Sequence, residues 1–341
     1  MLITLIDDSI PYNGMTPAFQ PLGGGEKAFA SLPSALARCG HVVRAITRAP
    51  HAVSSENVSW LNFDGRIPPI TEVLIALRKP SLLETTRATK SRILWVPGPT
   101  DYLNKAEVKE VLERTQSKIV LQGSTHIENF NIDIDLNYRA ITPGVREEYR
   151  ESELQRQINT PIAICTTHPK QGMDWLVDLW CDRIHPQVNG SELHIYSSTL
   201  KRFEEGEVVA EEYRALWGKI LEGKDKGILI KSPAGDNDMA RVYSYASVHL
   251  YPGSEKEMYC STLAESQAVG LPAVARPLGA VKERIVDKQT GFLSDNDDDF
   301  VENALMMLSD LEQCSKVGEM ARRYGTARGW DTVAREFETL F

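Results

Sequence analysis

Two carboxylates, Glu257 and Glu265, stand eight positions apart between two short apolar runs. Residues 247–253 read as a buried strand ending in a Pro-Gly loop, 262–269 as a short helix closed by Gly270, and 271–275 as a second strand. That pattern is a βαβ unit with an acidic loop at the carboxyl end of its first strand, where open α/β sheets bind their ligands. A helix starting near Ser261 or Thr262 offers unpaired N–H groups and the positive end of its dipole, which suits a phosphate or pyrophosphate. Carboxylates beside an anion are poor phosphate ligands but good acceptors for sugar hydroxyls, so the combination points to a nucleotide sugar. Two plainer readings stand beside this one. Thr262 and Glu265 also spell a T-x-x-E capping box, in which Glu265 would turn back onto the first amide of its own helix. Glu257 equally fits a solvated loop carboxylate.

The segment Glu257-Met-Tyr-Cys-Ser-Thr-Leu-Ala-Glu265 resembles the E-x7-E signature of the retaining GT-B glycosyltransferases, specifically the large GT4 group. Residues 268–275, then Gly279, Glu283 and 290–293, continue that resemblance in register. It implies that Glu265 holds the ribose hydroxyls, that Glu257 approaches the donor sugar, and that amides around Cys260, Ser261 and Thr262 receive the diphosphate. It also implies two Rossmann-like α/β domains with parallel sheets facing across a cleft, and chemistry that needs no bound metal or other cofactor.

Composition sets the frame. A chain of 341 residues, 42% hydrophobic, is better read as two moderate cores than one large one. Five cysteines, Cys39, Cys165, Cys181, Cys260 and Cys314, include no C-x-x-C pair and read as reduced thiols without a zinc framework. The opening run, residues 1–6, is stopped by Asp7 and Asp8, too soon for a signal peptide, and no window is long enough to span a bilayer. A cytoplasmic protein is the expectation. Residues 1–150 hold 17 Lys/Arg against 16 Asp/Glu, the remainder 21 against 31, and so acidic a second half argues against nucleic acid as a partner. Arg78, Lys79, Arg87, Lys90 and Arg92 cluster with only Glu84 opposing them in the same span. They read as a solvated face, or as a peripheral contact to a membrane or anionic acceptor.

The first half begins with a buried strand at 2–6, a long loop, the glycines Gly23, Gly24 and Gly25, a helix to about Arg38, and a second strand at 40–47. The glycines followed by Glu26, Leu32, Leu36 and residues 40–42 match the same family's opening, and glycine there lets a ligand approach the backbone at a helix start. A simple flexible turn is the alternative. The spacing is not the G-x-G-x-x-G dinucleotide fingerprint, which disfavours NAD. Further strands are expected at 58–63, 72–76, 92–96 and 118–121, the last running into a polar loop at 123–127. His126 in that loop is a candidate for contact with the acceptor or the donor sugar, or a structural hydrogen-bonding residue. The family commonly carries a histidine after the strand matching 93–96, where this chain has 97–99 as Pro-Gly-Pro. Residues 141–145 resemble the end of the family's first domain, and the charged run 146–157 reads as a hinge.

The second domain opens with a strand at 161–165 and the loop 166–172. In the family this loop supplies an Arg and a Lys, or an Arg-Gly pair, that neutralise the donor diphosphate, yet Thr166 and Gln171 stand where those cations are expected, leaving Lys170, one residue away, as the candidate cation. Strands at 192–196 and 227–230 and a helix near 239–246 follow. The run 297–299, three consecutive Asp, fits a helix start rather than a metal site. The boundaries expected are 1–148 with the C-terminal helix 328–341 for the acceptor-side domain, and 149–327 for the nucleotide-sugar domain.

The resulting expectation is a retaining hexosyltransferase that uses a UDP- or GDP-linked sugar and a glycan, lipid-linked or small-molecule acceptor. Its catalytic candidates are Glu257, Lys170 and His126. Its donor-binding candidates are Glu265, Cys260, Ser261, Thr262 and the glycines at 23–25. Two alternatives stay open: a sugar-nucleotide epimerase of the same architecture, which needs no acceptor, and a nucleotide-sugar-binding protein without transfer, motivated by Thr166 and Gln171.

Overall fold

Leu2–Ile6, buried along nearly its whole length, is the strand around which the first half is built. The computed structural model describes residues 1–63, 67–152, 155 and 160–341. They divide into two units, Met1–Arg146 with Arg328–Phe341, and Glu147–Ala327.

In unit 1 the strands are β1 (Leu2–Ile6), β2 (Val42–Thr47), β3 (Val53–Ser55), β4 (Val58–Asn62), β5 (Val73–Leu77), β6 (Ser91–Trp95), β7 (Lys118–Leu121) and β8 (Tyr138–Ala140). They lie in the order β3-β4-β2-β1-β5-β6-β7-β8, parallel throughout except where β3 turns back on β4. Parallel strands are covered on both faces and therefore carry unbroken apolar runs; β5, Val-Leu-Ile-Ala-Leu, is buried at every position. Successive side chains feed opposite faces. Ile3 and Leu5 pack with Phe29, Leu32 and Leu36 of the helix Gly24–Arg38 on one side, and Ile6, Leu74 and Ala76 pack with Leu83 and Leu112 on the other. The closing helix Trp330–Glu338 joins the first of these layers, its Phe337 ring 5.2 Å from that of Trp95. Where the chain leaves unit 1 and where it returns are neighbours: the N–H of Val145 donates to the carbonyl of Arg328 at 3.0 Å.

Unit 2 holds β9 (Ile162–Cys165), β10 (Glu192–Tyr196), β11 (Ile228–Lys231), β12 (Val248–Tyr251), β13 (Ala273–Ala275) and β14 (Gly291–Leu293), all parallel, in the order β11-β10-β9-β12-β13-β14. The order reverses at β9, so the carboxyl ends of β9 and β12 border a topological switch point, the usual place for a ligand on such a sheet. One core layer gathers Met173, Leu176, Trp180, Val274, Phe300 and Ala304, and a smaller one Tyr251, Cys260, Leu263, Ala273 and Ala275.

Three strands escape the sequence reading, β3, β8 and β14, each three residues long. Two local expectations are corrected. The polar loop at 123–127 is a helical turn, Ser124–Glu128, and the run 146–157 contains the short helix Glu147–Arg150; its residues 153–154 and 156–157 lie outside the described residues. The Asp run at 297–299 does open a helix, Asp297–Ser309, with the Asn296 side chain accepting from the N–H of Asp299. Among the described residues no helix is long and apolar enough to cross a membrane.

Candidate functional site

β12 ends at Tyr251 because Pro252 has no N–H to continue the ladder. The chain then loops to Cys260, whose backbone is left-handed (φ 60, ψ 59), and enters the helix Ser261–Val269. A side chain other than glycine in that region costs roughly 1–2 kcal/mol, and here it sits directly before a helix start. The amides at that start have no carbonyl four residues back to bond to, and the Cys260 side chain makes no cap. Gly270, also left-handed at φ 96, closes the far end.

This register disposes of the capping box. With Cys260 before the first helical residue, Thr262 is the second residue of the helix and Glu265 the fifth, two residues too deep for the reciprocal bond. The Thr262 hydroxyl is instead hydrogen-bonded to that of Thr166 at 2.9 Å.

The two carboxylates occupy different surroundings. The backbone of Glu257 is braced on both sides, its N–H donating to Ser254 O (3.0 Å) and its carbonyl accepting from the N–H of Ala280 (2.9 Å). Gly279, at φ +55, permits this: a Cβ there would collide with the carbonyl oxygens of Ser254 and Glu257. Burial pushes the Glu257 carboxyl above its ordinary value, offset in part by hydrogen bonds from the Tyr251 hydroxyl and the Cys260 amide. Glu257 is therefore an oriented, half-buried acceptor and not a solvated loop charge. Glu265 is only 7% exposed. Burial first, then the Glu265 and Asp236 carboxylates, hold the Tyr149 and Tyr243 phenols well above their usual range. Tyr149 donates to Asp236 Oδ1 at 2.6 Å.

At the end of β9, Thr166 is tied into a buried polar cluster. His249 lies fully buried on β12 with Nε2 3.0 Å from Thr166 Oγ1 and Nδ1 2.8 Å from Ser266 Oγ. Ser266 gives its proton to Leu263 O (3.1 Å) and so accepts from Nδ1–H, while Nε2 lies against the hydroxyl of Thr166, which donates to Thr262. Burial lowers the His249 pKa to about 3. The position where a cation was sought thus fastens β9 and β12 to the helix start.

Lys170 lies at the rim of this loop, its Nζ 3.2 Å from Glu212 and 5.1 Å from the centre of the Tyr213 ring, both partners of the ion pair about half exposed. A further cation beside this loop, not singled out in the sequence, is Arg276, immediately after β13. Its Nε donates to Pro252 O at 2.5 Å, and its guanidinium lies 4.3 Å from the centre of the Trp175 ring. Gly172 (φ +79) borders it so closely that a Cβ would strike Nη2. The signal available in the sequence was a charged residue placed directly at a strand's carboxyl end.

Glu257, Cys260, Ser261, Thr262 and Glu265 therefore share one loop and helix start of unit 2, with Lys170 on a second loop of the same unit. The other candidates belong to unit 1. Gly23, extended, precedes the helix Gly24–Arg38, whose Glu26 pairs with Arg78 at 2.5 Å. His126 is fully buried and accepts from the N–H of Gln122 at 3.1 Å, a structural bond of the kind weighed for it. The basic cluster at 78–92 is not an unopposed patch. Lys79 pairs with Asp8 and Lys90 with Glu72, Arg92 donates to the carbonyls of Leu83 and Thr86, and Glu84 goes to Arg114; Arg87 is exposed and forms no ion pair among the described residues. Carboxylates distant in sequence reach the cluster through the parallel sheet. No group of three or more His, Cys, Asp or Glu among the described residues could hold a metal ion.

Residues 160–310, which contain both carboxylates, the helix start, Lys170 and Arg276, match the family model described as glycosyl transferases group 1. A GDP-mannose-dependent alpha-mannosyltransferase of Mycolicibacterium smegmatis is 30% identical over 98 residues, 29% of this chain; the chain spans 26% of that relative's length. Solved structures share the fold end to end. Sucrose-phosphate synthase from Thermosynechococcus elongatus superposes with a TM-score of 0.73 at 14% identity, covering 99% of this chain and 97% of that one. Anabaena Alr3699/HepE, solved in complex with UDP and glucose, gives 0.67 at 11% identity, covering 99% and 98%. Residues 160–310, a little under half of the chain, thus match the group 1 glycosyl transferases, on a fold of two parallel-sheet α/β units of the GT-B kind.

Proposed function

We propose that the protein is a retaining glycosyltransferase of the GT4 type that moves a hexosyl unit from a nucleoside-diphosphate sugar to an acceptor hydroxyl, without a bound metal or other cofactor. The observation that carries the reading is the acid pair bracketing a helix start inside the matched residues: Glu257 oriented by Tyr251 and the Cys260 amide, and Glu265 buried one turn further on. In this reading Glu265 accepts from the ribose hydroxyls and Glu257 from the sugar. The amides of Ser261 and Thr262 receive the diphosphate, to which Lys170 adds charge after exchanging its exposed pair with Glu212. Unit 1 serves the acceptor, while its glycines at 23–25 belong to the donor-binding set. The bond between the anomeric carbon and the phosphate oxygen breaks, and its electron pair leaves with the nucleoside diphosphate. The acceptor oxygen bonds the same face of the carbon and its proton passes to the departing phosphate. Fixed dipoles at the leaving group then carry much of the acceleration. The relatives' GDP-mannose and UDP leave the base open.

A thermal-shift screen of UDP, GDP, ADP and their sugar conjugates, followed by acceptor assays with the anomeric configuration read by NMR, tests this. One nucleotide series should raise the unfolding temperature by mass action, and its sugar should be transferred with retained configuration. Absence of stabilisation by every nucleoside diphosphate would sink the reading. One observation favours a second reading, binding without transfer: Thr166 is uncharged and committed to Thr262 and His249. Tight binding with no product across a broad acceptor panel would decide for it.

A further inference from the structure

Loop 166–172 follows the strand at the switch point, yet it carries no charge at Thr166 or Gln171. A leaving diphosphate gains negative charge as its bond breaks, and hydrogen-bond donors alone meet it less well than donors with a cation among them. Arg276 answers this need from a different strand. Its backbone N–H bonds Tyr251 O (3.2 Å) and its Nε bonds Pro252 O (2.5 Å), so the side chain crosses the carboxyl end of β12. The guanidinium ends against Gly172, next to the position where the cation is missing, and the face of Trp175 holds it there. An arginine stacked on a ring and bonded at Nε keeps its terminal N–H groups as a planar fork suited to phosphate. Among the described residues it forms no ion pair; Asp174 and Asp297 are its nearest carboxylate influences, and burial outweighs them to lower its pKa. A half-buried cation with no counter-ion is a standing electrostatic cost that an anionic ligand removes.

We propose that Arg276 is a diphosphate-binding residue, supplying from the end of β13 a positive charge in place of those missing at Thr166 and Gln171. This rests on the nucleotide-sugar reading and deepens it, assigning the phosphate subsite to the space bordered by Gly172, Pro252 and Arg276.

The test is calorimetric titration of the full chain with UDP and GDP and with the parent nucleosides uridine and guanosine. Arg276→Gln, which keeps a donor for Pro252 O, should weaken the diphosphate that wild type binds by about tenfold or more, and leave the matching nucleoside within about twofold by the same affinity scale. Gln171→Lys introduced into that variant should recover most of the loss, because it returns a cation to the same neighbourhood; a role confined to packing would not respond. Should Arg276→Gln unfold, Arg276→Met, which keeps the stem over Trp175 without the charge, repeats the measurement. Equal weakening of nucleoside and diphosphate, or unchanged diphosphate affinity, overturns the assignment while leaving the donor reading intact. Failure of the wild-type protein to bind either diphosphate overturns both.

Discussion

Glu265 and His249 are the two buried titratable side chains on which the site turns, and they respond differently to loss. Glu265→Gln keeps the shape but removes the charge that strengthens hydrogen bonds from hydroxyls, a difference of about 1.5–3 kcal/mol. We expect the affinity for the bound nucleoside diphosphate to fall at least about tenfold in calorimetry, with far-ultraviolet dichroism unchanged. His249 is held neutral to about 3 against an ordinary 6.5. Between those values the unfolded chain binds a proton that the folded one refuses, so stability is intact above 6.5 and lost as the pH falls from there toward 3. Urea midpoints between pH 7.5 and 4.5 should drop more steeply for wild type than for His249→Gln, which begins lower but runs flatter. The acid pair was legible because both carboxylates sit in one short segment of sequence. Arg276 and the Thr166–His249–Ser266 cluster were not, since they join β9, β12 and the segment after β13, and only the strand order makes those neighbours.

At the scale of elements, the start of the helix Ser261–Val269 is fixed less by its own residues than by what braces the loop before it. Gly279 is the clearest support, with its left-handed backbone and two carbonyl oxygens where a side chain would begin. Gly279→Ala should cost about 1–3 kcal/mol, seen as a lower unfolding temperature, and should also weaken nucleotide binding because it displaces Glu257. A variant as stable and as tight-binding as wild type would show that the loop has no such dependence. The central strands were legible in the sequence to within a residue or two, since apolar runs such as that of β5 admit few other structures. β3, β8 and β14 were not: three residues at or near a sheet edge carry too little pattern, and β14 opens with a glycine, Gly291. The turn Ser124–Glu128 hid for a related reason, its polar residues reading as loop while His126 points inward.

At the scale of the whole molecule, the last helix belongs to the first unit. Phe337 and Trp330 pack on Trp95, and Arg328 binds Glu336 through two bonds of 2.6 and 2.8 Å. Phe337→Ala should cost about 3–5 kcal/mol, and because the loss falls on unit 1, a nucleotide held by unit 2 should still bind in the cold. Loss of nucleotide affinity at a temperature where the variant remains folded would contradict that division. The neighbouring exits at Val145 and Arg328 carry a further meaning. Unit 2 is a guest inserted between 146 and 328, whose flanks are held together within unit 1, so a short bridge across them would heal the host after the guest is excised. Two cuts would then suffice to graft another module in its place, leaving the host's own core untouched.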